Sequence, residues 1–319
     1  MNTSKDKKAI LLTGSGFNKD FGGYLSKDIW SLVFNHNEIH KHPKIKNKLR
    51  GEFNFEKLYY EILDGDFSHD EKNAIKIAIR EAYRRLDDSL IDYGFTERAK
   101  YIYELTKFIE RFSAKFGESG YFFTLNQDLF VERYFSGSET ELSLPGVNNK
   151  IWTIGKKPFS KEYSIAVPAN FSRPAQELLS SSSFHYIKLH GSYNWNRTDD
   201  SEALVIGVQK EPILAWYWEL FQNEISQGKK LLCIGYGFGD EQVNNIIAHA
   251  MRESGLELYI LLPSDAKQFK DRIYEERLPN AEVIWSGMEG YYPYGLSEIL
   301  ENEKTLNDMV KTFFGNYAR

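Results

Sequence analysis

Apolar residues follow two distinct rhythms along this chain. Short, nearly continuous apolar runs occur at Ala9–Thr13, Tyr121–Leu125, His185–Leu189, Leu231–Gly235, Leu256–Leu262 and Glu282–Trp285. A strand covered on both faces needs apolar side chains in both directions, so these runs predict six buried strands. Helical periodicity separates several of them, which favours parallel crossovers and an α/β, Rossmann-like parallel six-stranded sheet. Between the first and second runs, over residues 27–117, the pattern turns helical. Asn54 caps a helix with the apolar face Phe55, Leu58, Tyr59 and Ile62. Ser68 and Glu71 form a capping box ahead of Ile75, Ile79, Ala82, Leu86 and Leu90, with Gly94 as the stop. Thr96 opens a third helix carrying Ile102, Leu105, Ile109, Phe112 and Phe116, closed by Gly117. The expectation is one domain, residues 1–319, with a helical subdomain inserted after its first strand. Residues 136–183 are broken by prolines and a serine run, and read as an irregular or hairpin excursion over the sheet edge.

Composition narrows the function. The chain has 319 residues, 42% hydrophobic and 27% charged, as in a soluble globular protein with a sizeable core. A net charge of −5 argues against a general nucleic-acid binder. Cys233 is the one cysteine and lies inside an apolar run, so a buried reduced thiol is expected, with neither a disulfide framework nor a cysteine zinc site. The polar N-terminus lacks a signal core and no run reaches membrane-spanning length, which predicts a cytoplasmic protein without membrane contact. His36, His40 and His42 stand in a basic stretch over residues 36–50. A metal site or a phosphate-binding patch is conceivable there, but a run of this kind reads as a solvated surface loop.

Candidate chemistry sits just after the strand runs. Gly14-Ser15-Gly16-Phe17 follows the first and opens toward a helical pattern over residues 24–34. Glycines in such a turn let backbone approach a pyrophosphate closely. Asn126-Gln127-Asp128 follows the second run, His190-Gly191-Ser192 the third, and Gly235-Tyr236-Gly237-Phe238-Gly239-Asp240 the fourth. Ligands of open parallel sheets bind outside the carboxyl ends of the strands, so the four loops should face one crevice. Plainer roles exist for each. Asn126 and Asp128 can cap a helix over residues 129–134, Asp240 can cap the one that begins at Glu241, and His190 can be a satisfied structural histidine.

These four motifs, in this order, resemble the sirtuin-like family, and most closely the bacterial sirtuin-like proteins of antiviral defence that hydrolyse NAD. The resemblance covers nearly the whole chain, with the helical insertion in the place of the family's small domain. It implies that Gly14, Ser15 and Gly16 hold the pyrophosphate, that Phe17 joins them in the cofactor-binding set, and that Asp20 and Phe21 close over the nicotinamide. It further implies that Asn126 contacts the nicotinamide ribose and positions water, that Asp128 binds the carboxamide, and that His190 acts as general base. Gly235, Tyr236 and Gly237 would line the adenosine half. Protein-deacylating sirtuins carry four zinc-binding cysteines, which a chain with Cys233 alone cannot supply. Asn18 also stands where those enzymes usually have a serine, and Gly22-Gly23 where an arginine is usual.

The resemblance therefore implies an NAD glycohydrolase, with NAD as substrate and no metal, that depletes NAD in antiphage defence. The alternatives are a zinc-free deacylase or ADP-ribosyltransferase, and a non-catalytic subunit that senses NAD or ADP-ribose. Unchecked NAD loss would kill its host, so restraint is expected through a homo-oligomer or a separate partner, such as a companion ATPase or nucleotide-processing protein. Gly22-Gly23 at the entry to the insertion reads as a hinge that would let it act as a lid.

Overall fold

The computed structural model describes residues 8–113, 119–135, 142–147, 165–167, 173, 184–198, 204–207 and 212–314. Its main sheet has seven strands: β1 (Ala9–Thr13), β2 (Gly120–Thr124), β3 (Leu142–Ser143), β5 (Phe184–Lys188), β8 (Lys230–Ile234), β9 (Glu257–Leu261) and β10 (Met288–Tyr292). All pair in parallel, in the order β10-β9-β8-β1-β2-β5-β3. Ile10, Leu11 and Leu12 of β1 are fully buried, as a strand sandwiched between helical layers must be. A second sheet joins β4 (Ile165–Val167), β6 (Gly191–Arg197) and β7 (Leu204–Ile206).

Five of the six expected strands are present within a residue or so of their predicted positions. The sixth is a correction. Glu282–Trp285 lies inside a helix, Ala281–Gly287, and the strand follows it at Met288–Tyr292. Ala281 and Ile284 are three apart and buried, while Glu282 is exposed, which is helical spacing in too short a run to declare itself.

The insertion comprises α1 (Ser26–Phe34), α2 (Asn37–Lys41), α3 (Pro43–Gly51), α4 (Phe55–Asp64), α5 (His69–Tyr93) and α6 (Lys100–Glu110). Asn54 caps α4 through Lys57 N at 2.9 Å, and Ser68 and Glu71 form the capping box of α5. The third predicted helix starts later and stops earlier than expected. A 3₁₀ turn fills Glu97–Ala99, α6 ends at Glu110, and residues 114–118, including Phe116 and Gly117, lie outside the described residues. The basic stretch is a further correction, because residues 36–50 form α2 and α3 rather than a loop, with Ile39, Ile45 and Leu49 turned inward.

Among the contacts that seat α5 on the rest of the molecule, three involve β6 and α7 (Phe130–Tyr134). Tyr83 stacks on Tyr193 of β6, with centroids 5.5 Å apart and planes 6° from parallel. Arg80 donates to Asn196 Oδ1 at 2.9 Å. Asp87 pairs with Arg133 of α7, with Nε to Oδ1 at 2.6 Å. The remaining described helices are α8 (Pro212–Ile225), α9 (Glu241–Ser254), α10 (Ala266–Glu275), α11 (Ala281–Gly287), α12 (Leu296–Glu301) and α13 (Glu303–Phe314). None of the described helices is long and apolar enough to cross a membrane. Most of the excursion expected over residues 136–183 lies outside the described residues, apart from β3 at the sheet edge and β4 beside β6.

Candidate active site

The carboxyl ends of the central strands are level. Thr13 pairs with Thr124 on one side and Ile234 on the other, Thr124 with Lys188, and Ile234 with Leu261. The loops after β1, β2, β5 and β8 therefore leave the sheet along one edge. From β1 the chain builds outward to β2 and β5, then returns to β8 on the other side of β1, so the topological switch falls between β1 and β8.

Two glycine turns meet at that switch. Gly14 N donates to Ile234 O at 3.0 Å and Gly16 N to Gly235 O at 2.9 Å. Gly235 has φ +63°, and a Cβ there would fall 2.2 Å from Phe17 N. Cβ atoms on Gly14 and Gly16 would lie 2.8 Å from the Cα atoms of Tyr236 and Gly235 respectively. The missing side chains thus let one loop backbone lie directly on the other.

The loop after β2 is pinned from several directions. Thr13 Oγ1 donates to Thr124 Oγ1 at 2.8 Å, and Thr124 Oγ1 accepts from Asn126 N at 3.0 Å. Asp128 Oδ1 accepts from Phe130 N at 2.9 Å, which braces the turn into α7; the cap position there is Leu129, so neither Asp128 nor Asn126 takes the capping role foreseen. Its other oxygen accepts from Asn18 Nδ2 at 2.7 Å. Burial pushes the Asp128 carboxyl up to about 6, against the opposing pull of Lys188. Asn18 Oδ1 and both amide atoms of Gln127 are buried without a hydrogen-bond partner among the described residues. Such atoms mark places where a polar ligand recovers what burial cost.

His190 stands at a corner where the chain leaves β5 for β6. Gly191 makes the corner with φ +67°, and a Cβ there would strike Val205 O at 2.0 Å. The imidazole lies between two carboxylates. Nε2 is 2.9 Å from Asp240 Oδ2, and Nδ1 is 3.1 Å from Glu56 Oε2. Burial alone would pull the ring down, but Glu56 and Asp240 outweigh it and hold it up at about 10. The hydrogen bond and charge of His190 in turn keep Asp240 below the usual carboxylate range, against its burial. In this arrangement His190 is a cation that donates from both nitrogens.

Not every predicted residue joins these clusters. Phe17 and Phe21 are core: Phe17 packs edge-on against Phe122 and Phe130, and Phe21 stacks on Phe130 at 5.2 Å. Asp20 Oδ2 accepts from Ser297 N and Oγ, at 2.9 and 3.1 Å, at the start of α12. The Tyr236 hydroxyl lies 2.8 Å from Asn244 Oδ1 and accepts from Asp240 N, so it braces its own loop. Gly237 O accepts from Arg272 at 2.8 Å, and Ser15 is partly exposed. The Gly22 carbonyl accepts from Ser89 Oγ at 2.8 Å, which ties the expected hinge to α5. Cys233 is buried, and burial raises its thiol out of reach of thiolate chemistry.

Glu56 and the contact of Asn18 with Asp128 were not foreseen. Glu56 occupies an exposed-looking position in the first turn of a helix far from every motif in sequence, and no local pattern distinguishes it from a dipole-favouring acid.

The chain matches the SIR2-like domain over residues 120–284, just over half of its length, and belongs to that family. No curated protein is similar to it in sequence. Among solved structures, a Sir2 homologue mutant bound to 2'-O-acetyl ADP ribose is 10% identical with a TM-score of 0.44, covering 100% of both chains. Another, described under the mechanism and regulation of Sir2 enzymes, is 12% identical with a TM-score of 0.42, covering 96% of this chain and 94% of that one. A Sir2 homologue mutant bound to ADP ribose is 10% identical with a TM-score of 0.44 over 98% of each chain.

Proposed function

We propose that this member of the SIR2-like family is an NAD glycohydrolase, which releases nicotinamide and leaves ADP-ribose. The observation that carries the reading is the buried pair of Asn18 and Asp128, with an unpartnered amide oxygen beside a carboxyl group, next to the loop that bears Asn126. An amide-bearing ring suits that pair: its N–H groups can be accepted by Asn18 Oδ1 and Asp128 together.

Cleavage breaks the bond between nicotinamide nitrogen and ribose C1', and the electron pair leaves with the ring as neutral nicotinamide. The sugar passes through oxocarbenium-like charge, and water forms the new bond at C1'. Asn126 would hold that water on the face opposite the ring. His190 would take its proton, or one from a ribose hydroxyl, a contribution of about 10²–10⁴ in rate. The glycine turns of β1 and β8 would carry the pyrophosphate and adenosine end. Lacking the cysteines for a zinc module, the chain is read as a hydrolase rather than a protein deacylase. Its role would be to deplete NAD in antiviral defence, under restraint by self-assembly or a separate protein partner.

The test is nicotinamide release by the purified chain, with and without its neighbouring gene product, for wild type, Asn126→Ala and His190→Ala. Each substitution is expected to abolish release without lowering Tm by more than a few degrees. Full activity in His190→Ala would remove the general-base assignment.

A further inference from the structure

We propose that Glu56, carried by the helical insertion, is a removable latch on His190. While it is seated, both ring nitrogens are engaged by carboxylates, and hydrolysis requires Glu56 to withdraw and leave the ring to Asp240. This rests on the hydrolase reading and adds its control. A general base needs an unprotonated nitrogen facing the group it deprotonates. Here Nδ1 meets Glu56 at 3.1 Å and Nε2 meets Asp240 at 2.9 Å, so neither nitrogen is free. An imidazolium would also oppose the positive charge that the sugar acquires as nicotinamide leaves.

The two carboxylates differ in how they are held. Asp240 is fixed: its Oδ1 accepts from Gln242 N and Val243 N at 2.9 and 3.1 Å, in the first turn of α9, and its own N–H donates to Tyr236. It is therefore the positioning partner that keeps the ring oriented. Glu56 instead comes from α4 of the insertion, and its stem rests on Gly207, where a Cβ would lie 2.8 Å from Glu56 Cβ. Gly207 N donates to His190 O at 2.8 Å, so the residue just past β7 that seats Glu56 also holds the histidine backbone. The groups facing the ring are Glu56 from α4, Asp240 from the turn before α9, and the uncharged Trp218 of α8, whose ring centroid is 5.9 Å away. The charge on His190 thus depends on a carboxylate that the insertion supplies. Any event that lifts α4 would free Nδ1 and let the ring approach neutrality.

The experiment compares wild type, Glu56→Gln and Asp240→Asn as full chains, reading nicotinamide release from NAD and the titration of the His190 ring by ¹³C NMR. The His190 signal is assigned by its loss in His190→Ala, and Tm controls for folding. Each unit by which the ring midpoint falls raises its neutral fraction at neutral pH about tenfold. Glu56→Gln is expected to lower the midpoint, raise release by the isolated chain about tenfold or more, and move the acid limb of the pH profile downward. Asp240→Asn is expected to lower the midpoint as well but to reduce kcat, because the ring loses its orientation. An unmoved midpoint in Glu56→Gln, or release falling to the level of His190→Ala, would overturn the latch. Release absent from every variant while the midpoint still moves would instead overturn the hydrolase reading, and with it the purpose of the latch.

Discussion

Asn18 Nδ2 lies 2.7 Å from Asp128 Oδ2, joining the loop after β1 to the loop after β2 through two buried side chains. Gly23 exists in this setting because a Cβ there would fall 2.1 Å from Asn18 Oδ1. The hydrogen bond donates to a carboxyl group that burial has already pushed up to about 6, so the site holds an acid poised to change charge near neutrality.

That acid should cost stability in a pH-dependent way. A carboxyl group raised in the folded state above its ordinary value of 3.8 disfavours folding once it ionises. The cost is absent below about pH 4, grows as pH rises, and is complete above about 6. Asp128→Asn removes this titration, so its effect on stability is expected to be roughly 2–3 kcal/mol more favourable at pH 8 than at pH 4, at about 1.4 kcal/mol per unit. Urea unfolding at both pH values measures this, and an equal change at both would refute it.

The meeting of the glycine turns makes a sharper prediction. Gly235→Ala must place a methyl group 2.2 Å from Phe17 N while holding φ near +63°. Left-handed backbone costs a non-glycine residue about 1–2 kcal/mol and overpacking about 1–3 kcal/mol more. A loss of roughly 3 kcal/mol is expected in chemical unfolding, with NAD binding weakened beyond what Tm explains. Gly239→Ala, at a position with nothing within 4 Å, is the matched control and should change stability little.

Metal removal should leave hydrolysis unchanged. Among the described residues, no group of three or more His, Cys, Asp or Glu side chains could hold a metal ion, and His36 caps α2 through Glu38 N. Incubation with EDTA followed by a nicotinamide assay checks this. Loss of activity restored by zinc would mean that a metal site exists outside the described residues.

Much of this architecture is legible in the sequence for identifiable reasons. Strands buried on both faces write themselves as unbroken apolar runs, as in Ile10–Leu12, and caps such as Asn54 and Ser68 carry their hydrogen-bonding chemistry locally. Register then follows, and it places the loops bearing Asn126 and His190 at one edge. What stayed hidden depends on distant segments. Glu56 reaches His190 across 134 residues because the insertion folds back over the edge, and Phe17 and Phe21 turn inward because aromatic rings from α5 and α7 receive them. The Glu282–Trp285 run failed for a different reason: four residues fit either period.

The last prediction concerns a buried ion pair beneath the site. Lys188 and Glu132 have fully buried side chains, with Nζ to Oε1 at 2.8 Å, and Tyr186 donates to the other oxygen at 3.3 Å. Lys188 Nζ also donates to the carbonyl of Asp128, so the pair ties the loop bearing Asn126 and Asp128 to the strand that leads into His190. Removing one partner leaves the other charge buried and uncompensated, so Lys188→Met is expected to destabilise by about 3–5 kcal/mol. Replacing both, as Lys188→Met with Glu132→Leu, substitutes packed apolar side chains for the pair and should recover most of that loss, less about 1 kcal/mol for the acceptor Tyr186 gives up. The loop carbonyl would still lack its donor. The double variant is therefore expected to unfold near the wild-type denaturant concentration while nicotinamide release stays well below wild type. If release recovers together with stability, the pair serves the fold alone, and the loop is held by Thr124, Phe130 and Asn18 without it.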